Sequence, residues 1–91
     1  MPRFAMICRD KPDHEALRQQ TRDAHLAYVA DTGVVELAGP LLDEDGAMRG
    51  SLIILDVPDM DAARAWGAQD PYFQAGLFDS VQIDRWKKVI G

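Results

Sequence analysis

Paired cysteines and long apolar runs are missing from this 91-residue chain. Its one cysteine, Cys8, has no partner for an internal disulfide, and its apolar surroundings are typical of a buried, unreactive thiol. No apolar stretch approaches the ~18 residues that a membrane-spanning helix needs. The first residues do not form a charged leader followed by an apolar segment. We therefore expect a cytoplasmic protein with no membrane partner.

Concentrated positive charge is missing as well. The chain has 10 Lys and Arg residues against 15 Asp and Glu residues, which gives a net charge of -5. Nucleic-acid binding depends on clustered Lys and Arg. The one short basic run, at Arg85, Lys87 and Lys88, alternates within a predicted strand and is typical of a solvated face. We therefore expect no nucleic-acid partner.

Motifs for metals and cofactors are missing too. The chain has no His-x3-His or Cys-x2-Cys spacing. His14, in the first turn of a predicted helix, is typical of a solvated surface residue. The chain also has no phosphate-binding loop and no dinucleotide fingerprint. We expect neither a metal site nor a cofactor.

What remains is an ordinary globular composition, 47% hydrophobic and 27% charged, whose length predicts a single domain over residues 1–91. Apolar periodicity predicts strands at residues 3–9, 34–39, 51–57 and 80–89 and a helix at 13–31. A second helix is predicted after Pro58-Asp59, a short third one from Asp70-Pro71 to Gly76, and a polar loop at 41–49. This order predicts an α+β, ferredoxin-like βαββαβ fold with a four-stranded antiparallel sheet and its helices on one face.

The first helix carries start, stop and packing signals. Asp10 and Asp13 are candidate N-caps, and Gly33 is suited to ending the helix. Residues at helical spacing predict the buried stripe. These residues are Leu17, Thr21, Ala24 and Tyr28.

The third strand is apolar on both faces, reading Leu-Ile-Ile-Leu at residues 52–55. Helices on one side of the sheet can cover only one of those faces. A second copy of the chain, packed sheet to sheet, would cover the other, so we predict a homodimer. One of Ile53 and Leu55 is expected to face the partner and the other to face the helices.

His25 is the histidine best placed for chemistry. It shares a stripe at the edge of the predicted core with Arg18, Arg22 and Val29. A half-covered boundary residue is one interpretation of this position. A general acid or base is the other, because a neutral imidazole with a fixed tautomer transfers protons near pH 7.

Asp70 is the carboxylate that would orient His25. Followed by Pro71, it is typical of a helix N-cap, which is a sufficient role on its own. The two roles are compatible, because a carboxylate held by backbone N–H groups stays ionised and rigid.

Further side chains are candidates for a pocket around this pair. Ser51 opens the third strand and could hydrogen-bond a substrate or the imidazole, but no Gly-x-Ser-x-Gly elbow marks it as a nucleophile. Arg22 could stabilise an anionic oxygen or form a surface ion pair. Tyr72 and Phe73 could wall a pocket, although packing alone also explains them.

Several short motifs follow one another along residues 4 to 89. They are Arg22-x-x-His25-Leu26, Ala38-Gly39-Pro40, Gly50-Ser51, Ala62-Ala63-x-x-Trp66, Ala68-Gln69-Asp70-Pro71-Tyr72, Ala75-Gly76 and Trp86-Lys87-Lys88. In this order and spacing the chain resembles the YciI-like (YCII-related) family of the dimeric α+β barrel superfamily.

The resemblance implies a ferredoxin-like protomer that dimerises through its sheet, with His25 and Asp70 in a pocket between sheet and helices. Substrate-binding candidates in that pocket are Arg22, Ser51, Pro40 and Tyr72. Related members include a dehydrochlorinase of chlorinated hydroxyquinol breakdown, and the superfamily includes muconolactone isomerase. The short acidic loop at residues 43–49 departs from the family pattern and leaves substrate specificity open.

Two functions are compatible with these features. The first is a small, cofactor-independent enzyme of the lyase, isomerase or dehydrochlorinase kind, in which His25 moves a proton beside a carbonyl or phenol and Asp70 fixes its tautomer. The alternative is a non-catalytic small-ligand-binding or regulatory dimer that uses the same pocket. A titratable His–Asp pair favours the enzyme, because a binding protein does not need one.

Overall fold

The computed structural model describes residues 2–91 and contains four strands and three helices. Their bounds are β1 Arg3–Asp10, α1 Glu15–Thr32, β2 Val35–Leu42, β3 Met48–Asp56, α2 Met60–Gln69, α3 Pro71–Gln74 and β4 Phe78–Trp86. The predicted element order and ferredoxin-like fold are confirmed. No helix within the described residues is long and apolar enough to cross a membrane.

The sheet has the strand order β2-β3-β1-β4, and every neighbouring pair is antiparallel. One face of the central strand β1 presents Phe4, Met6 and Cys8, which are all buried. Ala63 and Trp66 of α2 belong to the same buried cluster. The hydrophobic core therefore lies between this face of the sheet and the helices.

The expectation that Ile53 and Leu55 face opposite sides of the sheet is wrong. Both are fully buried and both belong to the core cluster beneath the helices. The reason is strand alternation, since residues two apart point to the same face. Leu52 and Ile54, which alternate with them along β3, point to the opposite face of the sheet.

The second face of the sheet is apolar and carries no helix. In register, Ala5 lies beside Ile54, which in turn lies beside Leu37, and Ile7 lies beside Leu52 in the next row. Leu37 is half exposed, whereas Ile54 is buried by its neighbours. We call this surface, made of Ala5, Ile7, Leu37, Leu52 and Ile54, the open sheet face.

Helix α1 begins later than predicted, and neither predicted aspartate caps it. His14 occupies the N-cap position without a side-chain cap hydrogen bond, and its Nδ1 lies 2.7 Å from the carbonyl oxygen of Pro12. Asp13 has a left-handed φ of 60°, and Asp10 instead pairs with Arg18. The helix ends at Gly33, as predicted, with a φ of 65°.

The predicted buried stripe of α1 is displaced around the helix. Ala24 is exposed, while Leu17, Thr21 and Tyr28 are only half-buried. The buried residues of α1 are Arg18 and His25. Apolar periodicity missed this face because its central side chains are polar and find their partners inside the protein.

Strand ends also differ from the prediction. β2 does not stop at Gly39-Pro40 but continues to Leu42, so the loop before β3 shortens to residues 43–47. Proline is tolerated there because β2 is an edge strand with no neighbour on its outer side. β4 begins at Phe78 and ends at Trp86, which leaves the basic residues 87 and 88 outside the sheet and exposed.

Gly50 is the position in the sheet least able to accept a side chain. A Cβ added there would overlap the backbone carbonyl oxygen of Cys8 on β1. We therefore expect Gly50→Ala to lower the free energy of unfolding by about 2 kcal/mol or more, measured by urea denaturation. Gly39→Ala is the matched control, since nothing lies within 4 Å of its added Cβ. Equal stability of the two variants would contradict this packing.

Candidate active site

His25 and Asp70 meet in the interior although they are far apart in sequence. His25 projects from α1, and Asp70 lies at the junction of α2 and α3. The Nδ1 atom of His25 is 2.8 Å from Oδ1 of Asp70. His25 is 7% exposed and Asp70 is fully buried. The structure thus brings the two residues together as a buried hydrogen-bonded pair.

The position of Asp70 is fixed by the backbone on both sides. Its N–H donates to the carbonyl of Gly67 at the end of α2, and Pro71 occupies the first turn of α3. Its Oδ1 accepts the backbone N–H of Tyr72 at 3.0 Å, as an N-cap does. The same oxygen contacts His25, so capping and orientation of the imidazole share one atom.

The tautomer of His25 follows from this contact. Oδ1 of Asp70 is an acceptor, since it takes the N–H of Tyr72, so its contact with His25 assigns the proton to Nδ1 and leaves the lone pair on Nε2. No side chain or backbone group among residues 2–91 hydrogen-bonds Nε2. The imidazole also stacks on the ring of Tyr72, with centroids 4.1 Å apart and planes 15° apart. A ring held in this way can take up a proton at Nε2.

A pocket of about 200 Å³ lies between α1, the edge strand β2 and β3. Five of the six candidate site residues line it, and Asp70 lies behind His25. The five are Arg22, His25, Pro40, Ser51 and Tyr72. Leu26, Met48 and Ile53 form apolar parts of the pocket lining. His14 and Phe73 are not among the lining residues.

Tyr72 contributes a neutral hydroxyl to this region. Burial raises the pKa of Tyr72, although the guanidinium groups of Arg18 and Arg22 act in the opposite direction. The guanidinium carbon of Arg18 also lies 4.7 Å from the centroid of the Tyr72 ring. The tyrosine therefore remains protonated near pH 7.

Arg18 lines the pocket but was not predicted as a site residue. It is 4% exposed, with Nε and Nη2 donating to the two carboxylate oxygens of Asp10 at 2.7 and 2.9 Å. Burial would lower the pKa of Arg18, but the hydrogen bonds and charge of Asp10 raise it instead. Its place on the stripe of Arg22 and His25 was the available signal in the sequence.

Cys8 lies beneath the site and is fully buried, as predicted. Burial raises the pKa of the Cys8 thiol to about 12, and the nearby charge of Asp70 adds to the effect. At pH 8 we expect roughly one thiol in ten thousand to be ionised. Native protein should therefore resist alkylation by iodoacetamide and react only after unfolding in urea. Rapid modification of the native protein, followed by mass spectrometry, would contradict this burial.

Four antiparallel strands in this order, with every helix on one face and a pocket beneath them, define a ferredoxin-like protomer of the dimeric α+β barrel class. Residues 2–87 match the family model of the YCII-related domain, and the chain belongs to that family. It is 34% identical to Protein YciI of Escherichia coli over 95 aligned positions, which cover 94% of this chain and 97% of the relative.

Two solved structures illustrate the range of this fold. The dehydrochlorinase TftG of Burkholderia phenoliruptrix, in complex with 2,5-dihydroxybenzoquinone, matches with a TM-score of 0.85 and 30% identity, covering 93% of each chain. SnoaB of Streptomyces nogalater, a cofactor-independent oxygenase, matches with a TM-score of 0.66, covering 99% of this chain and 98% of its own. At 13% identity the likeness to SnoaB shows the fold alone.

Proposed function

We propose that this protein is a small, cofactor-independent enzyme that transfers a proton of its substrate through His25 and Asp70. The observation that carries the proposal is a buried imidazole whose Nδ1 is held by a carboxylate, at the wall of a pocket. General acid–base catalysis needs this arrangement, because the free nitrogen must be oriented and of one tautomer.

Each candidate residue has a distinct role in this proposal. Nε2 of His25 takes a proton from a carbon or oxygen beside a carbonyl or phenol, and Asp70 stabilises the imidazolium that forms. Arg22, Ser51 and Tyr72 supply hydrogen-bond donors for oxygen atoms of the substrate. Pro40 forms part of the wall.

The size of the pocket limits the substrate. A volume of about 200 Å³ is smaller than the ~300–1,000 Å³ typical of ligand pockets, which suits a single small ring. The 30% identity to TftG, which was solved with a benzoquinone bound, supports a ring that bears oxygen substituents. The reaction would then be a lyase, isomerase or dehydrochlorinase type of step.

Turnover assays test the roles of His25 and Asp70. In a screen of chlorinated hydroxyquinols and aromatic-derived lactones, we expect one compound class to be converted by the wild-type protein. His25→Ala and Asp70→Asn should each lower kcat/KM by about 100-fold or more, the usual contribution of general acid–base catalysis. His14→Ala is the matched control, because His14 does not line the pocket, and it should retain full activity.

A different outcome would support the alternative function. If ligands bind with equal affinity to wild type, His25→Ala and Asp70→Asn, and none is converted, the enzyme proposal fails. The protein would then be a non-catalytic ligand-binding or regulatory dimer.

We also propose that two copies pair through the open sheet face. Its apolar side chains form adjoining rows across three strands, and Leu37 is 50% exposed in the protomer. A contiguous apolar surface of this kind is typical of an interface. A cytoplasmic location stays a prediction from the sequence.

Sedimentation measurements test the pairing. Leu52→Lys should convert a dimer into a monomer at micromolar concentration, because it would bury a charge without a partner in the interface. Circular dichroism should show that the protomer stays folded. Phe73→Lys is the control, since Phe73 is an exposed aromatic residue outside the open sheet face, and it should remain dimeric. A monomeric wild-type protein would overturn the proposal.

A further inference from the structure

Arg18 and Asp10 form a buried ion pair that the proton transfer described above does not use. Their side chains are 5% and 4% exposed, and two hydrogen bonds hold the guanidinium in one orientation. A buried pair of this kind contributes little net stability, because both charges lose their hydration. Its position at the wall of the pocket points to a role in the site.

The guanidinium nitrogen Nη2, which donates one proton to Asp10, also reaches Ser51. Nη2 of Arg18 donates to Oγ of Ser51 at 3.0 Å. A guanidinium group contains no atom that can accept a hydrogen bond, so the serine oxygen must be the acceptor in this bond. The hydroxyl proton of Ser51 then has no acceptor among residues 2–91. Ser51 is 4% exposed and lines the pocket, so a buried donor is left for whatever occupies it.

We propose that Asp10 and Arg18 set the Ser51 hydroxyl as a donor to an anionic oxygen of the ligand, so that the pocket selects a phenolate or enolate. This inference rests on the ligand-binding pocket of the proposed function. Ser51 touches the ligand, and Arg18 and Asp10 are positioning residues. Ser51 is not a nucleophile in this arrangement, because no base among residues 2–91 accepts its proton.

Electrostatics favours the ionised form of the ligand. Donation from a cation polarises the serine O–H and strengthens the bond that it makes in turn. The guanidinium of Arg22 and the neutral hydroxyl of Tyr72 belong to the same region, and no carboxylate lines the pocket within the described residues. When a ligand C–H or O–H proton moves to Nε2 of His25, the negative charge left on the ligand oxygen is stabilised by the Ser51 donor.

The probe for this inference is 4-nitrophenol, because its phenol and phenolate absorb at different wavelengths. We expect wild-type protein to bind the phenolate about tenfold more tightly, so that the bound probe ionises at a pH lower by about 1 than the free probe. Ser51→Ala should lose most of this preference, and Ser51→Thr should keep it. Nitrobenzene, which has no ionisable oxygen, should bind wild type and Ser51→Ala equally.

Two variants test whether the phenolate preference needs the orientation that Arg18 gives to Ser51 or only a positive charge at position 18. Arg18→Lys keeps a cation but lacks the planar fork that joins Asp10 to Ser51, so it should lose the phenolate preference. Arg18→Lys could leave the buried Asp10 without its two hydrogen bonds and so unfold the protein. The double variant Asp10→Asn with Arg18→Met avoids this problem, because it removes both charges. It should lose the phenolate preference as well. Circular dichroism reports whether each variant is folded.

The inference and the proposed function fail in different ways. Equal binding of phenol and phenolate by wild type, no binding of the probe at millimolar concentration, or an unchanged preference in Ser51→Ala would each overturn the inference. Ser51→Ala keeps His25, so a phenolate preference lost in that variant is due to the Ser51 donor and not to proton transfer to the imidazole. A phenolate preference without any turnover would leave the donor in place and refute only the enzyme.

Discussion

A single carboxylate oxygen, Oδ1 of Asp70, holds the site together. It accepts the N–H of Tyr72 and contacts Nδ1 of His25, so it joins the start of α3 to the middle of α1. Because the carboxylate is fully buried, these two contacts replace water at Oδ1, whereas Oδ2 has no hydrogen-bond partner among residues 2–91. The stacking of Tyr72 on His25 then follows from the same junction. Loss of this carboxylate would leave both the imidazole and the helix start without an acceptor.

Much of the fold could be predicted from local sequence signals. Gly33 and Asp59 act at helix ends where their chemistry is favoured locally. The faces of β3 were harder to assign, because four consecutive apolar residues do not show which parity lies under the helices. The assignment of Ile53 and Leu55 to opposite faces is a separate error, because alternation alone puts them on the same face. Tertiary contacts decide which side of such a strand is the core.

Some residues of the candidate site could be predicted from the sequence, and others could not. Position alone explained His25 equally as a boundary residue and Asp70 as a helix cap, and the family resemblance is what favoured their role as a pair in a pocket. Arg18 was missed because periodicity treats an arginine as a solvated residue, and its partner Asp10 belongs to a different element. Asp10 ends β1, Arg18 lies near the start of α1, and Asp13, with its left-handed φ, lies in the loop between them. Only that three-dimensional path reveals the ion pair.

Helix α3 spans only the four residues Pro71–Gln74. An isolated helix of this length is far below what is stable in water, so it exists through its cap and its packing against the rest of the protein. The site therefore persists only as long as this short segment stays docked. A ligand that binds the imidazole or Tyr72 would slow local opening there, and the amide of Tyr72 would report it as protection from hydrogen exchange. A ligand in the pocket would therefore raise the local stability of α3, and undocking of α3 would weaken the binding of that ligand.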